Sequence, residues 1–471
     1  MSPRSNRARP EGRYIMRKRI GADVAIIGGG VAGLAAARIL ADAGLTVRIL
    51  EARDRIGGRV HSRIDPVTGL PVELGAEFIH GIPAETFELI DAGSVPIYEV
   101  SGEHWRSAGG KLSPMRDFWG TLENVNEKMS GIGRRDISYA EYLEKYAGGG
   151  KNSAARALAQ RYVEGFHAAR IETVGVKGLL RAENASEKLS GDRAFRMTHQ
   201  YANIAALILS GDEKKSVKNA TEISIDLETI VQTINWKKGR ITIGAVSAAG
   251  AELEPISARR ALITLPLGVL KSSPGDRGAI AFAPDLPEKR AAWDALEMGD
   301  AVRIVLRFRD RFWERRGFGG RRSRPSLEGM SFLHSDDPGF PTWWSCFPIR
   351  APMLTGWAGG PAATRLLELD DSGIVAEAVA SLARILGTDS DFINGELETW
   401  YVHNWKHDPF SRGAYSFVSV NGLAAQKRLA APVAETLFFA GEALSMDGNI
   451  GTVHGAIASG RRAAMEILTE C

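Results

Sequence analysis

Gly28, Gly30 and Gly33 are spaced G-x-G-x-x-G, and Glu51 follows eighteen residues after the last of them. In that spacing Gly28 allows a tight turn, Gly30 lets a pyrophosphate approach the backbone, and Gly33 lets a helix pack closely on a strand. Glu51 stands near the ~20-residue distance at which an acid accepts a ribose hydroxyl, and its carboxylate would repel a 2′-phosphate. Gly57-Gly58-Arg59 adds two small residues and a guanidinium, a second phosphate clamp across the pyrophosphate. The chemistry these residues serve is retention of a dinucleotide, and a simple nicotinamide dehydrogenase has no need of the second clamp.

The elements that must position these residues show in the pattern. Residues 24–27 are an apolar run suited to a buried parallel strand, 34–43 an alanine-rich helix, and 46–50 a second strand that Glu51 ends. The helix turns free N–H groups and its positive dipole end toward the phosphates. Near the other end of the sequence, 438–443 closes a strand with Gly441 and Glu442. Residues 449–461 then begin a helix with small residues at 451, 455, 456 and 458–460, where a ligand ring or a backbone can come close.

Between these ends the strand–helix alternation breaks after about residue 85. Residues 112–210 read mostly helical, as in 139–146, 154–167 and 204–209, and 211–219 is a polar connection. Short strands return over 222–243 and 261–264, and again at 300–308, 341–358 and 399–403. Residues 374–386 are helical, with Ser372 as N-cap and Gly387 as stop. The fold expected is α/β: a Rossmann-like dinucleotide domain from segments 21–100, 215–275 and 410–471, and an inserted α+β substrate domain from 101–214 and 276–409. Ligand sites favour such interfaces.

Composition narrows the function. The 471 residues carry 59 basic and 56 acidic side chains, a balance that gives no case for nucleic acid. Basic residues gather in a Pro-containing tail, 1–20, expected to be disordered. No apolar run is long enough to span a membrane. The two cysteines, Cys346 and Cys471, make no disulfide framework, and the nine histidines show no metal-ligand spacing. A reducing cytoplasm is the expected setting. The oligomeric state is open, with a homodimer among the alternatives.

Several runs together resemble the flavin-containing amine oxidases: monoamine oxidases, polyamine oxidases and the amine-oxidase domain of lysine-specific histone demethylases. They are IIGGGVAGLAAARIL and LEARDRIGGRV within 26–60, VELGAEFIHG at 72–81, ALITLPLGVLK at 261–271 and FAPDLP at 282–287. HDPFSRGAYS at 407–416 and FFAGEALSMDGNIGTVHGAIASGRRAA at 438–464 complete the set, in family order. Residues 100–215 match in helical character but little specific sequence. The resemblance implies FAD as cofactor. It gives Glu51 the adenosine ribose, Arg59 the pyrophosphate with Arg53 and Gly58 in the same run, and Val231 the adenine through its backbone. Gly75, Ala76, Thr452 and Val453 would border the isoalloxazine and Glu442 the ribityl-phosphate region, with Gly441 and Gly451 also among the cofactor-binding residues. Trp405 would lie beside the ring with Tyr415, a wall of the substrate cage. Lys271 falls on the family lysine that holds a water against flavin N5.

Three departures qualify the resemblance. Ala414 stands where monoamine oxidases bond the flavin through cysteine, so FAD is expected to be non-covalent. Thr452 replaces the second cage tyrosine. Plant polyamine oxidases place acids in the substrate tunnel, and His80 and Ala168 occupy the matching positions here. The implied reaction is oxidation of a primary or secondary amine by hydride transfer, with dioxygen reoxidising the flavin to give hydrogen peroxide. An L-amino-acid oxidase, a desaturase-type flavoprotein and a non-catalytic FAD-binding protein are the alternatives. No added histone- or DNA-binding module is found, which argues against a demethylase role.

Overall fold

A computed structural model of the chain describes residues 21–115, 117–147, 153–211 and 221–470. The basic tail and most of the polar connection at 211–219 lie outside them. The strand Ala22–Ile27 sits between Val47–Leu50 and Ile256–Ile263, parallel to both. Ile223–Asp226 extends the sheet beyond Val47–Leu50, and Leu437–Phe439 lies parallel to the last residues of Ile256–Ile263. Arg240–Ser247, Thr229–Lys237 and Ala281–Ala283 complete eight strands on the other side. Val24, Ala25 and Ile26 are fully buried, as a parallel strand covered on both faces requires.

The register explains why a site forms. Ile27 pairs with Leu50 on one side and Ile263 on the other, and Ile263 pairs with Phe439. Four strands therefore end level, and the segments that follow them, at Gly28, Glu51, Thr264 and Gly441, converge at the carboxyl edge. Open α/β sheets bind ligands at that edge.

The helices Val31–Asp42 and Val453–Thr469 pack on one face of the sheet in a single apolar cluster. They approach so closely that a Cβ on Gly460 would stand 2.1 Å from the Ala32 carbonyl oxygen. This is what the alanine and glycine content of both segments permits.

A second, seven-stranded sheet runs Leu397–Val402, Ala301–Phe308, Met353–Gly359, Thr342–Ser345, Met330–His334, Glu103–Ala108 and Lys111–Pro114. Every residue of its strand Ala301–Phe308 is buried. The helices Phe118–Asn126, Tyr139–Tyr146, Ser153–Phe166 and Val176–Lys188 form a core of their own around Tyr139 and Tyr142. No helix among the described residues is long and apolar enough to cross a membrane.

The structure differs from the sequence reading in three places. The helical stretch is interrupted by strands Lys111–Pro114 and Ala194–Met197, too short to give a period. Asp370, not Ser372, caps the helix Asp371–Leu386, its carboxylate accepting the Gly373 N–H at 2.8 Å, while Gly387 ends it at φ +65° as expected. Helix Ile204–Ser210 packs in the same cluster as Val31–Asp42, and Ala281–Ala283 joins the first sheet, so both sit across the division drawn from the sequence.

Candidate functional site

A cavity of about 1310 Å³ opens at the carboxyl edge of the first sheet and runs to the helices beside the second. That exceeds the roughly 300–1,000 Å³ of a site for one drug-sized ligand and gives room for a dinucleotide together with a small substrate.

One end is built from the glycine turns. Gly28 has φ +108°, and a Cβ there would lie 2.8 Å from Thr264 Oγ1. Gly33 does not line the cavity; its Cβ would fall 2.2 Å from the Gly28 carbonyl oxygen, so its smallness seats the helix. Gly30 lines the cavity and a Cβ there would meet nothing within 4 Å. Gly30 offers no side-chain cap either, so the first N–H groups of Val31–Asp42 face this space with only that cradle around them. Gly58, at φ +61°, lies against Gly30, where its Cβ would be 3.3 Å from Gly30 Cα. Glu51 is buried; one carboxylate oxygen accepts the Gly29 N–H at 2.7 Å and the other the Arg53 N–H at 2.9 Å. Arg53 reaches away to Asp408 at 2.8 Å and Ser411 at 3.0 Å. Val231 lines the same end at a register break in its strand, and Ala281–Ala283 pairs only from Thr233 onward. Anion-binding N–H groups, a ribose-side acid and an open strand edge at Val231 make a set that fits a dinucleotide.

Farther along, Arg59 donates to the Ala414 carbonyl and to Glu442, both at 2.8 Å. Glu442 also accepts from Ser416 Oγ at 2.6 Å and from the Gly451 N–H at 3.0 Å. Gly441, with φ +137°, leaves open space; the nearest atom to its Cβ would be 4.0 Å away. Thr452 caps the helix Val453–Thr469, its hydroxyl accepting the Gly455 N–H at 3.0 Å, and so turns that helix N-terminus into the cavity. Gly75 packs where a Cβ would stand 1.9 Å from the Arg59 carbonyl oxygen, and Ala76 follows it on the wall. Trp405 Nε1 donates to the Leu74 carbonyl at 2.8 Å, which fixes its ring beside this turn. Tyr415 donates to the Phe166 carbonyl at 2.7 Å, and its ring lies 12° from parallel to Trp357, with centroids 6.5 Å apart.

Beyond that aromatic pair lie two imidazoles that burial keeps neutral. His80 contacts Phe78 and Phe166, and burial pushes its pKa down to about 4. His167 contacts Phe166 and Tyr162 and is likewise pushed down to about 4. His167, not Ala168, therefore forms the wall; Ala168 is buried behind it at φ +51°. Toward the outside the lining carries five acids, Glu123, Glu127, Glu183, Glu187 and Asp192, with Arg106 and Arg161 as the basic residues of the same region. Glu183 accepts from Asn126 at 2.6 Å, and burial pushes its pKa up to about 7.

The structure does not bring Lys271 to this cavity. It ends the one-turn helix Leu267–Leu270, whose Leu267 and Val269 are buried, and its Nζ donates to the Leu296 carbonyl at 2.7 Å and lies 3.6 Å from Glu297. The cation beside the Gly75 turn is Arg303, whose Nη1 donates to the Gly75 carbonyl at 3.1 Å and whose Nη2 meets Glu77 at 2.6 Å. Sequence reasoning missed Arg303, Glu77 and Trp357. The available signal was an arginine inside the apolar run AVRIVLRF, which a buried strand keeps only with a partner.

Comparison with known proteins follows this geometry. The family model described as flavin containing amine oxidoreductase matches residues 31–468. The chain is 31% identical to Polyamine oxidase 2 of Arabidopsis thaliana over 94% of this chain and 87% of that protein. It is 28% identical to human Lysine-specific histone demethylase 2 over 94% of this chain and 53% of that protein. Among solved structures, wild-type putrescine oxidase bound to putrescine superposes with a TM-score of 0.75 at 19% identity, covering 96% of this chain and 99% of that one. Cyclohexylamine oxidase from Brevibacterium oxydans superposes at 0.74 with 19% identity, covering 95% and 99%. The cradle and the cavity are those of a dinucleotide-dependent oxidoreductase. The chain belongs to the flavin-containing amine oxidoreductases, and its cofactor is FAD.

Two glycines separate binding from folding. Gly30→Ala is expected to fold with unchanged thermal stability as apoprotein and to hold FAD roughly 10- to 100-fold more weakly, the size of a 1–3 kcal/mol steric clash. Gly33→Ala is expected to lower the apoprotein's own stability by about 1–3 kcal/mol, read by thermal unfolding without cofactor. Lys271→Met should leave the rate of flavin reoxidation by oxygen as it is in the unmodified protein, measured by stopped flow; a marked slowing would return the residue to the site.

Proposed function

We propose that the protein binds FAD non-covalently along the glycine turns and oxidises an amine of the polyamine type at the Tyr415–Trp357 wall. The observation that carries this is one continuous cavity. It joins the dinucleotide cradle to an aromatic wall and then to an outer lining in which acids outnumber basic residues. Ala414 offers no nucleophile for a covalent bond. The isoalloxazine is assigned to the space bounded by Gly75-Ala76, Trp405, Gly451 and Thr452, one layer past Arg59. FAD supplies, when bound, an acceptor for a hydride from the carbon next to nitrogen and a route for its electrons to dioxygen.

The chain's own residues supply selection. A reacting amine must be neutral for its lone pair to assist hydride loss, and the inner wall of His80, His167 and Phe166 offers no carboxylate to hold it protonated. A distal ammonium needs the opposite, and Glu183 and its neighbours provide it. The relatives named as polyamine oxidases support the same reading.

An anaerobic visible spectrum with an amine panel tests the reaction. Spermidine, spermine or putrescine should bleach the flavin at lower concentration than primary monoamines, N-methylated amines or L-amino acids. Bleaching by L-amino acids alone would overturn the proposal. The pH profile tests the outer site. Glu183, raised to about 7, is protonated below that pH and charged above it, so KM for spermidine should fall between pH 6 and 8. Glu183→Gln should flatten that profile and raise KM at pH 8 by roughly fivefold, about 1 kcal/mol of half-buried ion pairing, without changing kcat.

A further inference from the structure

Arg303 belongs to a buried charge cluster that binding of the dinucleotide does not require. Glu77 lies between two guanidinium groups: Arg196 Nε is 2.7 Å from one carboxylate oxygen, and Arg303 Nη2 is 2.6 Å from the other. Trp344 Nε1 donates to the same carboxylate at 3.1 Å. The side chains of Arg196, Arg303 and Glu77 are only 6, 7 and 11% exposed. Burial opposes ionisation of Glu77, but Arg196 and Arg303 outweigh it and hold its pKa below the ordinary value. Glu73, Tyr98 and Cys346 are the other titratable groups close by, and burial raises all three, Glu73 to about 7, so below that pH none of them adds negative charge. Two cations thus share one anion, and one positive charge is left over.

The surroundings keep that charge unscreened. The Arg196 guanidinium sits 4.7 Å from the Phe78 ring centroid, and that of Arg303 sits 5.6 Å from Trp344. Arg303 Nε and Arg196 Nη1 are buried without hydrogen-bond partners among the described residues. An uncompensated buried charge is destabilising unless something answers it. Arg303 and Glu77 line the cavity, and Arg303 is bonded to the carbonyl of Gly75, the residue assigned to the edge of the isoalloxazine.

We propose that the Glu77–Arg303–Arg196 cluster is the electrostatic counterpart of cofactor reduction: its surplus positive charge stabilises the negative charge that FAD gains. The proposal rests on the placement of FAD under Proposed function. When the substrate carbon loses a hydride, one proton and two electrons leave the C–H bond. The C–N bond becomes a cationic C=N, and the cofactor takes up one negative charge. A fixed cation beside it favours the product side without any proton movement by the protein. Its charge also works against a protonated amine in the same place, which fits a reacting nitrogen that arrives neutral.

The test is the midpoint potential of bound FAD, measured anaerobically with dithionite and a reference dye, with no amine present. It is run at pH 6, below the value of about 7 to which burial pushes Glu73, the next carboxylate in the field of Arg303. Arg303→Met leaves Glu77 matched by Arg196 alone, and the equilibrium constant for reduction should fall at least tenfold, ~30 mV for a two-electron couple. Arg303→Lys keeps the charge and should keep the potential. Glu77→Gln leaves both cations and should move the potential upward. Opposite signs at neighbouring buried positions support the proposal, because loosened packing would shift both the same way. An unmoved potential in Arg303→Met with FAD still bound, or shifts of the same sign, would overturn it. If Arg303→Met does not fold, a raised potential in Glu77→Gln beside an unchanged one in Arg303→Lys supports it, and a potential that is not raised overturns it. An unmodified protein that holds no FAD would overturn the reading of function itself.

Discussion

Glu442 is 6% exposed and accepts hydrogen bonds from three segments far apart in sequence: Arg59 after the second strand, Ser416 at the aromatic wall, and Gly451 before the last helix. A buried carboxylate left without donors is strongly unfavourable, so these segments are held to one arrangement. Arg59 is thereby fixed in direction at the cavity wall. Tyr415, next to Ser416, is aimed by the same contact that sets the Gly451 turn, and a Cβ on Gly451 would stand 3.1 Å from the Tyr415 ring. The nucleotide cradle and the aromatic wall are thus two sides of one polar knot.

The level strand ends and the polar knot divide the labour. The parallel register brings the turns to one edge without regard to what they carry. The buried polar groups then select among side-chain directions at that edge. The cavity they enclose changes character along its length, from backbone N–H groups, through aromatic and uncharged imidazole walls, to carboxylates at the outside. Desolvation produces the middle zone: the same burial that lowers His80 and His167 raises Glu183.

Much of the nucleotide half was legible because glycine spacing and strand periodicity are local. The positions of Gly28, Gly30, Gly33 and Glu51 follow from a turn that a few residues determine by themselves. Lys271 shows where that legibility stops. The motif that ends in Lys271 lies on a one-turn helix, but the direction of that side chain depends on Leu296 and Glu297, which the motif does not contain. Arg303 is the converse: its strand was foreseen, while its partner Glu77 lies 226 residues earlier. Trp357 and Tyr415 meet only because two strands of different sheets approach across the cavity. The acids of the outer lining come from separate helices whose relative placement no local pattern records.

The close crossing of Ala32 and Gly460 carries a consequence for how the chain is made. The first helix packs on one that is synthesised more than four hundred residues later, and the first strand waits some two hundred and thirty residues for Ile256–Ile263. At roughly 5–20 residues per second the ribosome needs about 20–80 s to supply that last helix. Throughout that interval the helix face that meets Val453–Thr469 lacks its native cover, while Val47–Leu50 and Ile204–Ser210 are made earlier and cover other parts of the strand and helix. The second sheet, whose strands all lie between residues 103 and 402, can assemble earlier. The core under the first sheet is therefore completed only when Val453–Thr469 arrives, a consequence of building one apolar cluster from segments more than four hundred residues apart.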